Sequence, residues 1–282
     1  MFQRYTNTLL AAMLLAGLAG PSLAAGPPKP DDLGKYPTFK DGRYTLAVME
    51  FEATTKKDLA PKGEVQYELE LAGRILVSDR DDVVAVTRQL HVVRVDDMRS
   101  EDILLRDKRR RRSPNEYESG TFGPVEEGSA EVETDELKLV RNAYRIQSVT
   151  VEAEAVIAKD RDGKRLPAVL MQEPVECLSG MTVRITSLRL DKDGELTVMA
   201  HCTRPSAGPK GPFIERVSAL ADDGTILGEA RWSKGDMFDR AETLTARLEL
   251  TPGQPHKYIR FTAVTRYEVE RLTFDIKGLF QD

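Results

Sequence analysis

Histidine and cysteine are scarce in this sequence, with three and two copies among 282 residues. Metal sites and nucleophilic catalysis draw heavily on these two side chains. The histidines, at positions 91, 201 and 256, show no spacing typical of metal ligands, and the sequence has no Gly-x-Ser-x-Gly or Ser-x-x-Lys motif. Phosphate-cradling glycine loops are also absent. The sequence therefore gives no support to a metal centre, a bound cofactor or a common nucleophilic active site.

The chain also has no excess of cationic residues and few aromatic ones. The formal net charge is −5, and aromatic residues make up 6% of the chain, with Trp232 as the single tryptophan. Nucleic-acid-binding proteins usually gather an excess of Lys and Arg on one face, so this balance argues against a nucleic-acid partner. After Leu18 no apolar run approaches the length of about 20 residues that a spanning helix needs. We therefore expect no nucleic-acid binding and no membrane insertion of the mature chain.

The N-terminal segment has the pattern of a secretory signal peptide. Arg4 precedes an apolar run of ten residues, Leu9–Leu18, and Ser22-Leu23-Ala24 places small residues at positions −3 and −1 of a cut after Ala24. We predict cleavage of residues 1–24 and export to the periplasm or the extracellular space. Residues 25–40 contain four prolines and no apolar periodicity, a composition typical of a flexible leader.

Cys177 and Cys202 form a candidate disulfide, because an exported chain passes through an oxidising compartment. Residues 181–190 and 195–202 have the pattern of two hairpin arms, and simple pairing sets Cys202 opposite about Val183, short of Cys177. A bridge needs Cα atoms within about 7 Å, so Cys177 would have to fold back across the hairpin. The sequence leaves both a disulfide and two buried thiols open.

Alternation of apolar and polar residues with a period of two dominates the chain after residue 40. This pattern predicts strands that have one buried face, with clear examples at 65–71, 149–155 and 244–250. The best helical pattern covers 134–144, where a threonine cap precedes spaced apolar residues. We therefore expect an almost wholly β protein with one short helix.

The phase of this alternation shifts at two places. The shifts lie near Ser187 and near Glu270-Arg271, and each predicts a β-bulge or a crossing between sheets. After the second shift, Leu272, Phe274 and Ile276 share one face. We expect these three side chains to re-enter the core of a C-terminal sandwich and close it.

Two parts of the chain resemble each other at an offset of 122 residues. Segments 91–105 and 213–227 share a strand–turn–strand pattern that aligns Arg94 with Arg216. A duplicated domain gives this order of segments, but any two strand–turn–strand segments look somewhat alike. In either case the pattern breaks at 172–175, where proline and charge interrupt it.

The predicted architecture is all-β, with two tandem immunoglobulin-like β-sandwiches. The N-terminal sandwich covers 41–172, with a long charged loop at 106–137, and the C-terminal sandwich covers 176–282. They follow the signal peptide at 1–24 and the leader at 25–40.

A basic run at 106–112 is the candidate site for an anionic ligand, because clustered guanidinium groups bind phosphate, sulfate or carboxylate. Residues 113–137 carry eight acidic side chains and no Lys or Arg, so a polar loop that neutralises itself is the alternative. The cations of the run are Arg106, Lys108, Arg109, Arg110, Arg111 and Arg112.

Aspartate and glycine cluster at 160–163, 191–194 and 222–224. Close carboxylates could bind calcium, but none of these segments has the spacing of a twelve-residue calcium loop. Each lies between two strand-like runs, where aspartate favours a turn and glycine supplies positive φ. We predict three hairpin turns and no metal site.

These observations favour an exported, non-enzymatic binding or scaffolding protein of the periplasm or cell surface. Its partner would be a protein or a polysaccharide of the cell envelope. Two alternatives remain open: an adhesin stiffened by calcium, and an enzyme whose carboxylates converge at the domain junction.

Overall fold

The computed structural model consists almost entirely of β-strands. It describes residues 3–5, 35–57, 65–78, 82–105, 122–126, 128–135, 137–140, 146–177, 179–205, 211–231 and 241–279, and no α-helix occurs within them. The predicted all-β fold class is therefore confirmed. In chain order the strands are β1 (Gln3–Tyr5), β2 (Thr38–Asp41), β3 (Tyr44–Lys57), β4 (Val65–Val77), β5 (Val83–Thr87), β6 (His91–Asp97), β7 (Phe122–Pro124), β8 (Ser129–Glu133), β9 (Leu137–Leu139), β10 (Ile146–Pro167), β11 (Val175–Glu176), β12 (Thr182–Leu190), β13 (Glu195–Thr203), β14 (Phe213–Leu220), β15 (Ile226–Arg231), β16 (Ala241–Glu249) and β17 (Tyr258–Lys277).

The strands form three sheets. In the first sheet β3 and β4 pair with each other, β1 and β2 pair with β3, and β8 and β9 pair with β4. The central sheet has the order β15-β14-β17-β10-β5-β7, with β6 also paired to β10, and the third sheet has the order β11-β12-β13-β16. Cleavage after Ala24, as predicted, would remove only β1 from these sheets.

Two hydrophobic cores lie against the central sheet. The first core brings together residues of the first and central sheets, among them Leu46, Ile75 and Val149. The second core brings together residues of the third and central sheets, among them Val183 and Phe261. Each core is filled by the apolar residues of the alternating strands, as the period of two predicts.

The two longest strands, β10 and β17, belong to both cores. In β10, Ala155 packs in the first core and the next residue, Val156, packs in the second. In β17, Phe261 packs in the second core and Phe274 in the first. The predicted ranges 41–172 and 176–282 therefore each supply residues to both cores.

This sharing corrects the prediction made for the end of the chain. Leu272, Phe274 and Ile276 are buried, but they lie in the first core and not in the second. The reason is that β17 does not bend back on itself, since it stays paired with β10 from Tyr258 opposite Pro167 to Lys277 opposite Ser148. The terminal strand thus closes the N-terminal sandwich.

Strand pairing places the two similar parts of the sequence in equivalent positions. In the N-terminal half β6 pairs with β10 so that Val95 lies opposite Val149, and in the C-terminal half β14 pairs with β17 so that Val217 lies opposite Phe261. The hairpin β3–β4 carries β8 on its second strand, just as the hairpin β12–β13 carries β16. This agreement in register supports a duplication.

The order of strands in the C-terminal half differs from the predicted immunoglobulin arrangement. An immunoglobulin constant domain places its second and third strands in opposite sheets. Here β11, β12 and β13 follow one another within the third sheet, and the chain then passes to the central sheet at β14. The chain is thus an all-β protein of packed sheets, with a strand order that the sequence pattern did not reveal.

One predicted bulge is confirmed and the other lies elsewhere. The pairing of β12 with β13 shifts between Ile185 and Ser187, as predicted. In β17 the pairing shifts between Val264 and Arg266, not at Glu270-Arg271. The alternation places Val269 on the same face as Phe261, but Val269 is 41% exposed, so the change of phase falls earlier.

The predicted helix at 134–144 is wrong. Leu137–Leu139 forms β9, which pairs with β4 through Tyr67 and Leu69. Leu139 is buried in the first core. Pairing with the edge of an existing sheet therefore overrides the helical spacing of these leucines.

Candidate functional site

The basic run predicted as an anionic-ligand site lies outside the described residues. This applies to the whole set, Arg106, Lys108, Arg109, Arg110, Arg111 and Arg112, and also to Trp232. The last described residue before the run is Leu105, whose backbone N–H donates to the carbonyl oxygen of Lys138 at 2.8 Å. The anionic-ligand role of the run stays a prediction.

Cys177 and Cys202 are both buried thiols in the second core and are not bridged. Val183 pairs with Cys202 on one side, as predicted, and with Val175 on the other. Since β12 lies between the two cysteine-bearing segments, their separation across the sheet is about two strand spacings, or about 9.5 Å. That exceeds the limit of about 7 Å for a disulfide. Burial raises the pKa of the Cys177 thiol to about 11, which keeps it protonated and unreactive at neutral pH.

Two of the three Asp-Gly clusters form the predicted turns. Asp191 Oδ1 accepts hydrogen bonds from the backbone N–H groups of Asp193 and Glu195, both at 2.9 Å, between β12 and β13. Gly194 and Gly224 have φ of 89° and 90°, the left-handed region that glycine tolerates. Among the described residues, no group of three His, Cys, Asp or Glu side chains is placed to hold a metal ion.

The predicted hairpin turn at 160–163 is wrong. β10 passes through it without turning, and Gly163 pairs with Thr262 in the middle of the long ribbon that β10 forms with β17. Hydrogen bonding to a long neighbouring strand outweighs the local turn propensity of these residues. The aspartates accompany a bulge between Ala158 and Arg161 instead of a hairpin.

Four arginines lie close together on the central sheet, and we call them the arginine face. Arg161, Arg216, Arg231 and Arg260 come from β10, β14, β15 and β17, which are neighbours in the sheet. Val217 lies opposite Phe261 in the second core, and the adjacent rung pairs Arg216 with Thr262. Because side chains alternate along a strand, the arginine face lies on the side of the central sheet that faces away from the third sheet.

The register of four strands explains how residues so far apart in sequence come together. Arg216 pairs with Arg231 on one side and with Thr262 on the other, and Thr262 pairs with Gly163. On the next rung Arg260 lies opposite Ser218. The centre of the arginine face therefore consists of small side chains.

Two glutamates hold these arginines in place. Arg161 Nε donates to Glu215 Oε2 at 2.6 Å, and Arg216 Nε donates to Glu215 Oε1 at 3.2 Å. Arg216 Nη1 donates to Glu229 Oε1 at 3.0 Å, and Arg260 Nη2 lies 3.9 Å from Glu229 Oε2. Glu215 occupies a shift in register between Ile214 and Arg216, where its side chain is 3% exposed.

The ion pairs shift the ionisation of their members. Burial works against the charge of Glu229, but hydrogen bonds from Ser218 and Arg216 hold its pKa below the ordinary value. Burial also works against the charge of Arg216, but Glu215 and Glu229 raise its pKa. For Arg231, burial and the nearby Arg216 lower the pKa from its ordinary value. Burial next to a second arginine therefore disfavours the charge of Arg231.

One polar atom of the cluster is unsatisfied. Among the described residues, Glu215 and Glu229 are the acids that form ion pairs with Arg161, Arg216 and Arg260. Arg231 Nη1 donates to a neutral acceptor, the carbonyl oxygen of Val125, at 2.5 Å. Arg260 Nε is buried and has no hydrogen-bond partner among the described residues. The arrangement is suited to receiving an anion, because guanidinium groups bind oxyanions through paired N–H donors.

Sequence reasoning did not find this site. Its members are spread from position 161 to position 260, with one arginine from each of four strands, so no local motif marks it. The one available signal was the internal repeat, which singled out Arg216 by aligning it with Arg94. Arg165 lies on the same face, but its guanidinium carbon stacks 3.4 Å from the centre of the Tyr258 ring and its Nη2 donates to Asp222 O.

No protein-family model, curated protein or solved structure matches this chain. The described residues also contain no helix long and apolar enough to cross a bilayer.

Proposed function

We propose that this chain is an exported, non-enzymatic binding or scaffolding protein of the periplasm or cell surface. The observation that carries the proposal is the continuous pairing of β10 with β17, which joins two packed-sheet modules and supports the arginine face on the same strands. The N-terminal pattern up to Ala24 supports export. The fold alone fixes no function, so the proposal depends on these specific features.

The shared ribbon supplies rigidity over a long distance. With a rise of about 3.3 Å per residue, the 20 residues of β17 extend over about 65 Å. Both cores pack on this ribbon, and its pairing continues on both sides of the bulge between Ala158 and Arg161, so a hinge between the modules would have to break strand hydrogen bonds. A rigid body of this length suits a protein that holds a binding face at a fixed place in the cell envelope.

Export is tested by expressing the full chain in a bacterial host and measuring the intact mass of the product in each fraction. The expected product begins at Ala25 and appears in the periplasm or the medium. The matched control, Leu14→Arg, interrupts the apolar run and should keep the chain inside the cell. A wild-type chain that retains Met1 in the cytoplasm or the membrane would contradict the proposal.

Binding is tested by capture from cell-envelope material on the immobilised mature chain. We expect a retained protein or polysaccharide that is released by salt, because the described binding face is charged. An unrelated exported β-protein of similar net charge serves as the control bait. Equal recovery from both baits would count against a binding role.

A further inference from the structure

The structure contains an internal reference for the arginine face. Strand register defines an equivalent face in the N-terminal half, which we call the counterpart face. There Thr150 pairs with Arg94 as Thr262 pairs with Arg216, and Ser148 pairs with Asp96 as Arg260 pairs with Ser218. The opposite neighbours of the two central residues are Asp275 and Lys277 in the N-terminal half, and Gly163 and Arg165 in the C-terminal half.

Charges balance on the counterpart face and not on the arginine face. Across the six equivalent positions, the counterpart face has the cations Arg94 and Lys277 and the anions Asp96 and Asp275. Its pairs are local, with Arg94 Nε donating to Asp96 Oδ1 at 2.7 Å and Thr150 Oγ1 donating to Asp275 Oδ1 at 2.8 Å. The equivalent positions of the C-terminal half have three arginines and no acid. The same scaffold is therefore built without an arginine cluster in one half of the molecule.

The arginine cluster also carries a cost to folding. Arg260 Nε is a buried donor without a partner among the described residues, and a buried donor left unsatisfied destabilises a fold. Arg231 Nη1 donates to the backbone carbonyl oxygen of Val125, and burial and the neighbouring Arg216 both disfavour the charge of Arg231. Such a side chain destabilises the free protein, and the counterpart face lacks it. Its presence is explained if it binds a ligand.

We propose that the arginine face binds an oxyanion, a phosphate or sulfate group, with Arg216, Arg231 and Arg260 as its donors. Guanidinium groups bind such anions through paired N–H donors. The Arg260 stem passes over Gly163, where a Cβ would lie 3.4 Å from Arg260 Cδ. This inference rests on the proposed binding function and names the class of its ligand.

The affinity of the purified mature chain for inorganic phosphate and inorganic sulfate, measured by calorimetry, tests the proposal. Arg260→Gln and Arg231→Gln keep the bulk of each side chain and remove its charge. Each variant should bind at least about tenfold more weakly, as expected for the loss of a charge-assisted hydrogen bond. The matched control is Arg94→Gln on the counterpart face, which should bind as the wild type does.

Dextran sulfate and neutral dextran distinguish a polymeric ligand from a free ion. If the natural ligand is a sulfated or phosphorylated polymer, dextran sulfate should bind more tightly than inorganic sulfate and depend on the same two arginines, whereas neutral dextran should not bind. Preference for the free ion over the polymer would point to a small molecule. Both results support the proposed site.

Three outcomes would overturn the inference: no binding of either anion by the wild type, equal binding by wild type and both variants, or an equal loss in Arg94→Gln. The urea midpoint of each variant is measured in parallel, so that a loss of binding is read only from folded protein. If the anions do not bind but an envelope partner is captured, the ligand class is rejected and the proposed function stands. Anion binding by a chain that is not exported would reject the proposed function and leave the site standing.

Discussion

Two faces of the same central sheet, in register with each other, carry different charges. On the counterpart face the charges of Arg94 and Lys277 balance those of Asp96 and Asp275, and Arg94 pairs with Asp96 near the surface. On the arginine face Glu215 is buried between Arg161 and Arg216. Since Ser148 occupies the position equivalent to Arg260, we infer that strand pairing does not require an arginine there and that Arg260 is an addition to the scaffold.

The two cores differ less than the two faces. Both are filled by aliphatic and aromatic residues of alternating strands, and each receives one fully buried phenylalanine from β17, Phe274 in the first core and Phe261 in the second. The second core alone contains the two thiols. Sharing of β10 and β17 therefore couples the stability of the two halves more closely than a tandem arrangement would.

The largest effect is expected from separating the halves. A fragment covering 176–282 loses β10 and the first sheet, so Leu272, Phe274 and Ile276 would be exposed to water. We expect this fragment to remain unfolded, as judged by circular dichroism and by the absence of a cooperative urea transition. A fragment with a sharp transition of its own would show that the division at 172–176 marks an independent domain after all.

Truncation of either phenylalanine should be the next largest effect. Phe274→Ala and Phe261→Ala each remove a ring with no exposed surface, and such changes lower the free energy of unfolding by about 3–5 kcal/mol. Because β17 joins the cores, we expect one urea transition in each variant, displaced to lower concentration. Two separate transitions, with only one displaced, would indicate that the modules unfold independently.

Removal of an acid should affect the two faces unequally. Glu215→Gln leaves Arg161 and Arg216 without their shared carboxylate, and breaking a buried pair costs about 3–5 kcal/mol. Since these arginine side chains are 30% and 29% exposed, we expect about 2 kcal/mol. Asp96→Asn on the counterpart face should cost less, because its partner Arg94 is exposed to solvent. Equal losses in urea unfolding would remove the contrast between the faces.

The thiols provide a test that leaves stability unchanged. The native protein should resist alkylation by iodoacetamide at pH 8, because burial raises the pKa of Cys177 to about 11 and leaves only about one thiolate in a thousand. After denaturation without reductant, the intact mass should show two alkyl groups. Absence of both groups and a mass two hydrogens lower would establish a disulfide between Cys177 and Cys202.

Much of the fold could be predicted from the sequence, because strands with one buried face leave a local signal. The hairpin register that sets Cys202 opposite Val183 was predictable, since two alternating arms and an Asp-Gly turn fix it. The continuation of β10 through 160–163 was not, because its partner is β17, about 100 residues away. Local turn propensity carries no information on such a distant strand.

The arginine face was beyond sequence reasoning for a similar reason. It depends on the lateral order of β10, β17, β14 and β15 and on a register shift that places Glu215 between two arginines. The contiguous basic run at 106–112 drew attention because its charges are adjacent in sequence. Clusters assembled across a sheet have no such pattern.

The most direct test of the account is the urea midpoint of Arg260→Ser, which gives the arginine face the residue that the counterpart face has at Ser148. If the arginines are an addition to the scaffold, the free energy of unfolding should fall by less than about 1 kcal/mol, or rise, because the unsatisfied Nε is removed. Ser148→Arg serves as the reciprocal control and should be tolerated on the counterpart face. A loss in Arg260→Ser as large as that in Glu215→Gln would show that the arginine is part of the structural framework, and the central contrast between the two faces would be wrong.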